Sequence, residues 1–422
     1  MREYLKRLPQ EIKMLLDKAG RIAGQRHTPA YLVGGCVRDL LLGVKNLDLD
    51  ITVEGSGIAF AEELAADLGA RLIRHKRFGT ATIEINHQLK LDVVSARREA
   101  YPAPALLPVV CAGSLKDDLF RRDFTINAMA VSIMPAAFGE LVDFFHGKKD
   151  LKEKRICILH ALSFIDDPTR ILRAVRFEQR YGFRIAGSTL KCLKQAVKIK
   201  MLRKVQPQRL RDELILMLKE PQVIKAIRRL NSIGDFSFIS PGMRVSDKVY
   251  AFLKAIDNEV KFFHSHYPQR RSLDIWLIYF IGLIDCLSAQ QAKAVCRSFA
   301  LRKGEEIRIL SFKRINAAWL KKISSPKLKP SGVFSLLNPL SYEAIILLKA
   351  RYKSSLLRRH IDNFFKNYTA KRIDLRGDDL KHLGLKPGPQ YQKIFSRVLF
   401  AKLDGIVKNR KEELSFARKL LS

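Results

Sequence analysis

The chain has 422 residues, 47% of them hydrophobic, and carries a formal charge of +35 at pH 7. That length and apolar content suit a globular protein of more than one domain. The longest clean apolar run, residues 275–284, is about half the roughly 20 residues of a membrane-spanning helix, so it is expected as a buried helix. The opening residues MREYLKRLPQEIKML mix charges with apolar residues at helical spacing, unlike a secretion signal. Six cysteines, at 36, 111, 157, 192, 286 and 296, lack CxxC spacing, which argues against a zinc site or a disulfide framework and for reduced thiols in a cytoplasm.

The charge is unevenly spread: residues 1–150 carry a net +2 and residues 151–422 the remaining +33. Solubility needs far less, so the excess points to a polyanionic partner. Nucleic acid fits better than a membrane surface, which selects a single basic amphipathic helix rather than a whole-chain excess. No membrane association is expected, and the oligomeric state is left open.

In chain order, residues 30–146 alternate short β-branched runs (YLVGG, LDITV, ATIEI, LDVVS) with one clear helix, IAFAEELAADLGA, the pattern of a mixed α/β domain. After Gly147 strand signals fade, and segments such as TRILRAVRFEQRYGF and QRLRDELILMLKE place apolar residues at helical spacing. Breaks at Pro207, near Pro241, at Pro268 and over residues 326–332 suggest boundaries between helical subdomains. No repeat or low-complexity tract is present.

The strongest local signal is YLVGGCVRDLLLGVKNLDLDITVEG. Gly34 and Gly35 follow an apolar strand and precede a helical turn, so backbone N–H groups can approach phosphate oxygens with no Cβ in the way. Asp48 and Asp50, two apart in a strand, are expected on one face, as hard oxygen ligands for Mg²⁺. Asp92, in LDVVS, is a candidate third carboxylate from a neighbouring strand. Each feature alone also describes a tight turn or a solvated strand end.

GGCVRD followed by DLD resembles the metal-binding motif of the polymerase β-type nucleotidyltransferases, specifically the class II tRNA nucleotidyltransferases and bacterial poly(A) polymerases. RRDFTINAMA, at 121–130, is similar to that family's second head motif; the resemblance implies that Arg122, Asp123 and Asn127 help hold triphosphate and sugar. Without the family, Arg122 suits bidentate phosphate contact, and Asp123 or Asn127 a ribose hydroxyl or a helix cap. IDDPTRILRAVRFEQRYGF resembles the neck motif EDxxR, with Asp166 where Glu is usual. There the residues matching Asp167 and Arg170 read the edge of the incoming base in place of a template. A carboxylate accepts from the exocyclic amine that C and A share, and a guanidinium donates to a ring nitrogen or carbonyl. Arg173 and Arg176 extend that basic face at three-residue spacing, also the look of an ordinary basic helix with a Pro-and-acid start. QPQRLRDEL resembles the motif ERxxxE, with Gln208 for the first Glu; Arg209 and Glu213 are expected to pair across one turn and brace the neck. Residues 375–395 resemble the tail of many such enzymes.

The resemblance implies an α+β protein: a small mixed α/β head with a polymerase β-like palm at 1–146, then an all-α neck at 147–205, body at 206–290 and tRNA-binding tail at 291–422. It implies addition of C, C and A to the tRNA 3′ end from CTP and ATP, with two Mg²⁺ ions and release of pyrophosphate. Arg38 and Arg122 are the candidates for phosphate contact, Arg38 also being free to pair with Asp39 or Asp48. Within the family, RHKRFGTATIEI lacks the GRRF-type run of poly(A) polymerases, and the 96–118 loop has the full length that CC-adding members lack. A-only addition stays open. A non-catalytic RNA-binding relic is disfavoured, because Asp48, Asp50, Asp167 and Arg170 are all present.

Overall fold

The computed structural model describes residues 1–44, 48–75, 79–86, 89–234 and 236–421. Residues 76–78, which carry part of the contrast with poly(A) polymerases, lie outside that set. The chain divides into two compact units, Met1–Asp235 and Phe236–Ser422.

The first unit opens with helices α1 (Arg2–Lys6) and α2 (Gln10–Gln25), then β1 (Ala30–Val33), α3 (Gly35–Leu42), β2 (Leu49–Val53) and α4 (Gly57–Leu68). Next come β3 (Arg71–His75), β4 (Thr80–Glu84), β5 (Lys90–Ser95), a hairpin of β6 (Arg97–Ala100) and β7 (Val109–Ala112), α5 (Leu115–Phe120), β8 (Ala130–Ser132) and β9 (Leu141–Val142). Seven of these strands form one sheet in the order β3-β4-β5-β2-β1-β8-β9. All its pairings are antiparallel except β2 with β5, which run parallel with Asp50 opposite Asp92.

Alternation along β2 and β5 gives the sheet two unlike faces. Leu49, Ile51, Val53, Leu91 and Val93 are buried and α4 packs on these strands, its start capped by the Ser56 hydroxyl and its end closed by Gly69 in the left-handed region. Asp50, Thr52 and Asp92 therefore share the other face. Asp48 departs from the expected pairing inside one strand: β2 begins at Leu49, and Asp48 stands exposed just ahead of it.

The rest of this unit is helical apart from one short parallel pair, β10 (Arg155–Ile156) with β11 (Arg184–Ile185). Its helices are α6 (Gly147–Lys152), α7 (Ser163–Asp166), α8 (Arg170–Tyr181), α9 (Gly187–Lys198), α10 (Pro207–Leu218) and α11 (Val223–Ile233). α8 and α10 are the helices expected from TRILRAVRFEQRYGF and QRLRDELILMLKE, and they pack on each other. The mixed sheet and helical remainder make the fold α+β, as expected.

The second unit is entirely helical among its described residues. Its apolar helix Ile275–Leu283 is buried along its whole length, as expected of that run. No single described helix is long and apolar enough to cross a membrane. All six cysteines are free. Near the end of the chain the fully buried Glu413 accepts the Lys402 ammonium at 2.6 Å and the backbone N–H groups of Asp374 and Leu375 at 2.7 and 2.9 Å. It is the polar anchor beside a small core of Leu375, Leu380, Ile394, Val398 and Ala417. Glu413→Ala leaves two N–H groups unanswered and the Lys402 ammonium with Asp374 alone, and is expected to cost about 3 kcal/mol, read as a lower midpoint in urea denaturation.

Candidate active site

The site grows out of the turn between β1 and α3. β1 ends at Val33 in the core, and the chain turns into α3 through Gly34, whose φ is +74°. A side chain there would be strained, and a Cβ would run into the Arg122 guanidinium and lie 3.9 Å from Asp50 Oδ2. Glycine thus lets backbone, arginine and carboxylate crowd one corner.

Asp50 sits at that corner, partly exposed, between Asp48 and the register partner Asp92. Burial pushes its carboxyl up to about 6; Arg122 opposes the shift, while Asp92, Asp48 and Asp118 add to it. Asp92 is exposed and accepts the Thr82 hydroxyl at 2.6 Å. The like charges of Asp92 and Asp48 that act on Asp50 are of the kind a divalent cation would offset. Among the described residues no three His, Cys, Asp or Glu side chains close around a point. Asp48 and Asp50 suit the mode in which one or two carboxylates share the ion with substrate phosphates.

Above this floor opens a cleft of about 840 Å³. Of the residues expected from sequence, Gly35, Arg38, Asp50, Arg122, Asp123, Asn127, Asp167, Arg170, Arg173, Arg209 and Glu213 line it. Gly34 lies beneath, behind Arg122, and Asp48, Asp92 and Arg176 are not among its lining.

The walls are tied by a chain of charged hydrogen bonds. Arg38 is buried and donates to Asp39 at 2.8 Å and to Asn127 Oδ1 at 2.5 Å, with its guanidinium 4.9 Å from the Tyr181 ring centroid. Of the two partners open to it, Asp39 is the one taken. Asn127 donates to Asp123 Oδ1, and Asp123 Oδ2 receives two bonds from Arg173 at 2.8 and 2.6 Å. Although burial opposes it, Arg173 and Asn127 hold the Asp123 carboxyl below the usual range. The three-residue turn that follows, Thr125–Asn127, receives no side-chain cap, so Asp123 is a bridge rather than a helix cap.

Arg173 continues the chain to Glu213 at 2.9 Å, and Glu213 also receives Arg176 at 3.4 Å. The expected one-turn pair between Arg209 and Glu213 is therefore not made. Packing α10 against α8 offers Glu213 two nearby guanidiniums, and Arg209 turns instead to Asp167 at 2.8 Å. Arg176 lies over the Phe177 ring at 4.7 Å and near Glu220, so it stands in the interface of the neck helices rather than in the cleft.

Asp167 precedes α8 and accepts Arg209 and both the N–H and hydroxyl of Thr169, all on Oδ1. Oδ2 keeps no protein donor among the described residues. Arg170 is buried and donates to the Ser163 hydroxyl at 2.6 Å and to the backbone carbonyl of Arg121 at 2.7 Å.

The sequence reading missed part of the wall. The 96–118 loop holds the β6–β7 hairpin, and its Glu99 receives Arg97, Arg121 and the Tyr101 hydroxyl at 3.0, 3.2 and 3.2 Å. Glu99, Tyr101 and Arg121 line the cleft, and burial pushes the Tyr101 phenol up to about 12. Asp118, fully buried, binds Arg121 and Arg122. Nothing local marked Glu99 in the charged run RREA, or Asp118 among the acids of KDD.

A mixed sheet carrying carboxylates under a glycine turn, with an arginine-lined cleft leading to helices, is the arrangement of a polymerase A-type head. Accordingly, the poly A polymerase head domain family matches residues 30–157, and the family described as the probable RNA and SrmB-binding site of polymerase A matches residues 182–245. The A-adding tRNA nucleotidyltransferase of Halalkalibacterium halodurans is 32% identical over 97% of this chain and 92% of its own length. That of Geobacter sulfurreducens is 37% identical over 98% of this chain. Among solved structures, the Thermotoga maritima CCA-adding enzyme complexed with tRNA is 33% identical, with a TM-score of 0.75 over 100% of this chain and 98% of that one. The chain belongs to the tRNA nucleotidyltransferase family. It spans about half the length of the Geobacter and Aquifex aeolicus relatives, 47% and 43%.

Proposed function

We propose that the protein transfers AMP from ATP to the 3′ end of tRNA, releasing pyrophosphate. The observation that carries this is the single cleft in which the Asp50 corner, the Arg122 guanidinium and the Asp167–Arg170 pair meet. Acceptor and donor are then united in an in-line attack of the tRNA 3′-hydroxyl on the α-phosphate. Mg²⁺, two ions by expectation, held by Asp48 and Asp50 with Asp92 beside them, would lower the hydroxyl pKa and offset charge on the leaving oxygens.

The protein's own groups bind and orient. The Gly35 backbone lets phosphate oxygens approach, the Gly34 N–H being spent on the Met129 carbonyl, and Arg122 offers them a guanidinium. Arg38 holds Asn127, which with Asp123 forms the sugar side. Asp167 Oδ2 is open to the exocyclic amine of adenine or cytosine, and Arg170 reaches the ring by exchanging its bond to Ser163. Residues 1–146 carry the chemistry, 147–205 select the base, and the basic body at 206–290 and tail at 291–422 grip the RNA backbone by shape. The site of action is the cytoplasm, where free thiols persist.

A-only addition is supported by the relatives of that name that match most of this chain. Addition of C, C and A from CTP and ATP is the second reading, favoured by the full-length likeness to solved CCA-adding enzymes. Three transcripts of one tRNA, ending before CCA, after C and after CC, are incubated with labelled CTP or ATP. Labelling of the last alone, by ATP, is the expected result; labelling of all three establishes the second reading, and labelling of none sinks both.

A further inference from the structure

We infer that Asp118 is a positioning residue for the nucleotide, holding the Arg122 guanidinium off Asp50 so that the phosphate corner stays open. The inference rests on the reading of the cleft as a nucleotide site. Asp118 lies in α5 with no exposed surface, and its two oxygens are divided between two arginines. Oδ1 accepts two bonds from Arg121, at 2.9 and 2.7 Å. Oδ2 accepts Arg122 Nη2 at 3.1 Å and the Thr52 hydroxyl at 3.3 Å. Thr52 stands two residues beyond Asp50 on the same face of β2, so the carboxylate is moored to the strand that bears the metal-binding aspartate.

Arg122 is thus shared between two acids. It is the main positive charge acting on Asp50, yet its hydrogen bond goes to Asp118. Its Nη1 fills the space above Gly34, and its Nε is buried with no partner, a donor left over for a ligand. Without the charge on Asp118, Asp50 is the acid at this corner left to draw the guanidinium. Their pairing would cancel the charge a cation needs and withdraw the donors from phosphate.

The test is ATP binding to the full chain by titration calorimetry without tRNA, with Mg²⁺ and with EDTA. Asp118→Asn is expected to weaken ATP about tenfold in either condition, with tRNA affinity held. In an Arg122→Met background the same substitution is expected to have no further effect, because the group through which it acts is gone. A purely structural role would persist in both backgrounds. ATP affinity unchanged in Asp118→Asn, or a loss equally large in the Arg122→Met background, overturns the role. Wild-type protein that binds no ATP overturns the nucleotide reading itself. Should Asp118→Asn fail to fold, Thr52→Val removes only the hydroxyl mooring and is expected to weaken ATP about twofold to threefold; an unchanged affinity there counts against the inference.

Discussion

Asp50→Ala is expected to lower nucleotide transfer by at least about 10³-fold while leaving tRNA affinity within about twofold. The asymmetry is expected from where the charges lie: residues 1–150 carry only +2 of the +35, which leaves the proposed grip on RNA to the rest of the chain. Asp50 is also the one acid of its group that lines the cleft, with Asp48 ahead of the strand and Asp92 tied to Thr82. Single-turnover labelling of tRNA measures the first quantity and filter binding at fixed salt the second. A parallel collapse of tRNA affinity would show that head and RNA-binding surface are not separate in function. Asp48→Ala is expected to behave alike.

Asp167→Ala is the second large effect, and it falls on selectivity. Oδ2 is the acceptor proposed for the base amine while Oδ1 holds Arg209 and Thr169, so loss of the carboxylate removes both the proposed acceptor and the mooring of α8. Discrimination of ATP against GTP, as the ratio of kcat/KM values, is expected to fall by about 10- to 100-fold. Asp167→Asn separates the parts: its amide keeps an oxygen for Arg209 but presents a donor where adenine also donates. Selectivity for ATP that survives both substitutions would place base reading outside this loop.

The balance of neck charges explains why some expectations from the sequence failed. Spacing put Arg209 and Glu213 one helical turn apart, a pair worth only a few tenths of a kcal/mol on an exposed helix. Packing α10 on α8 brought Arg173, Arg176 and Asp167 within reach, so Glu213 pairs with Arg173 and Arg176, and Arg209 with Asp167. The same process commits Arg38 to Asn127, which no local pattern foretold, beside the neighbouring Asp39 that the sequence offered.

The sequence by itself determined the features that act over a few residues. The glycine pair at a strand end, the alternating burial of β2 and β5, the buried helix at 275–283, and the split of charge between residues 1–150 and the rest were all written in local pattern. These hold because strand and helix periods and backbone sterics act within one or two turns of chain. Only the tertiary structure decided which distant groups meet. Parallel pairing set Asp92 beside Asp50, the hairpin delivered Glu99 and Tyr101 to the cleft, and burial gave Asp118 two arginines to hold. The physical reason is that a charge removed from water needs a partner, and any acid or base in the chain qualifies until packing fixes the distances.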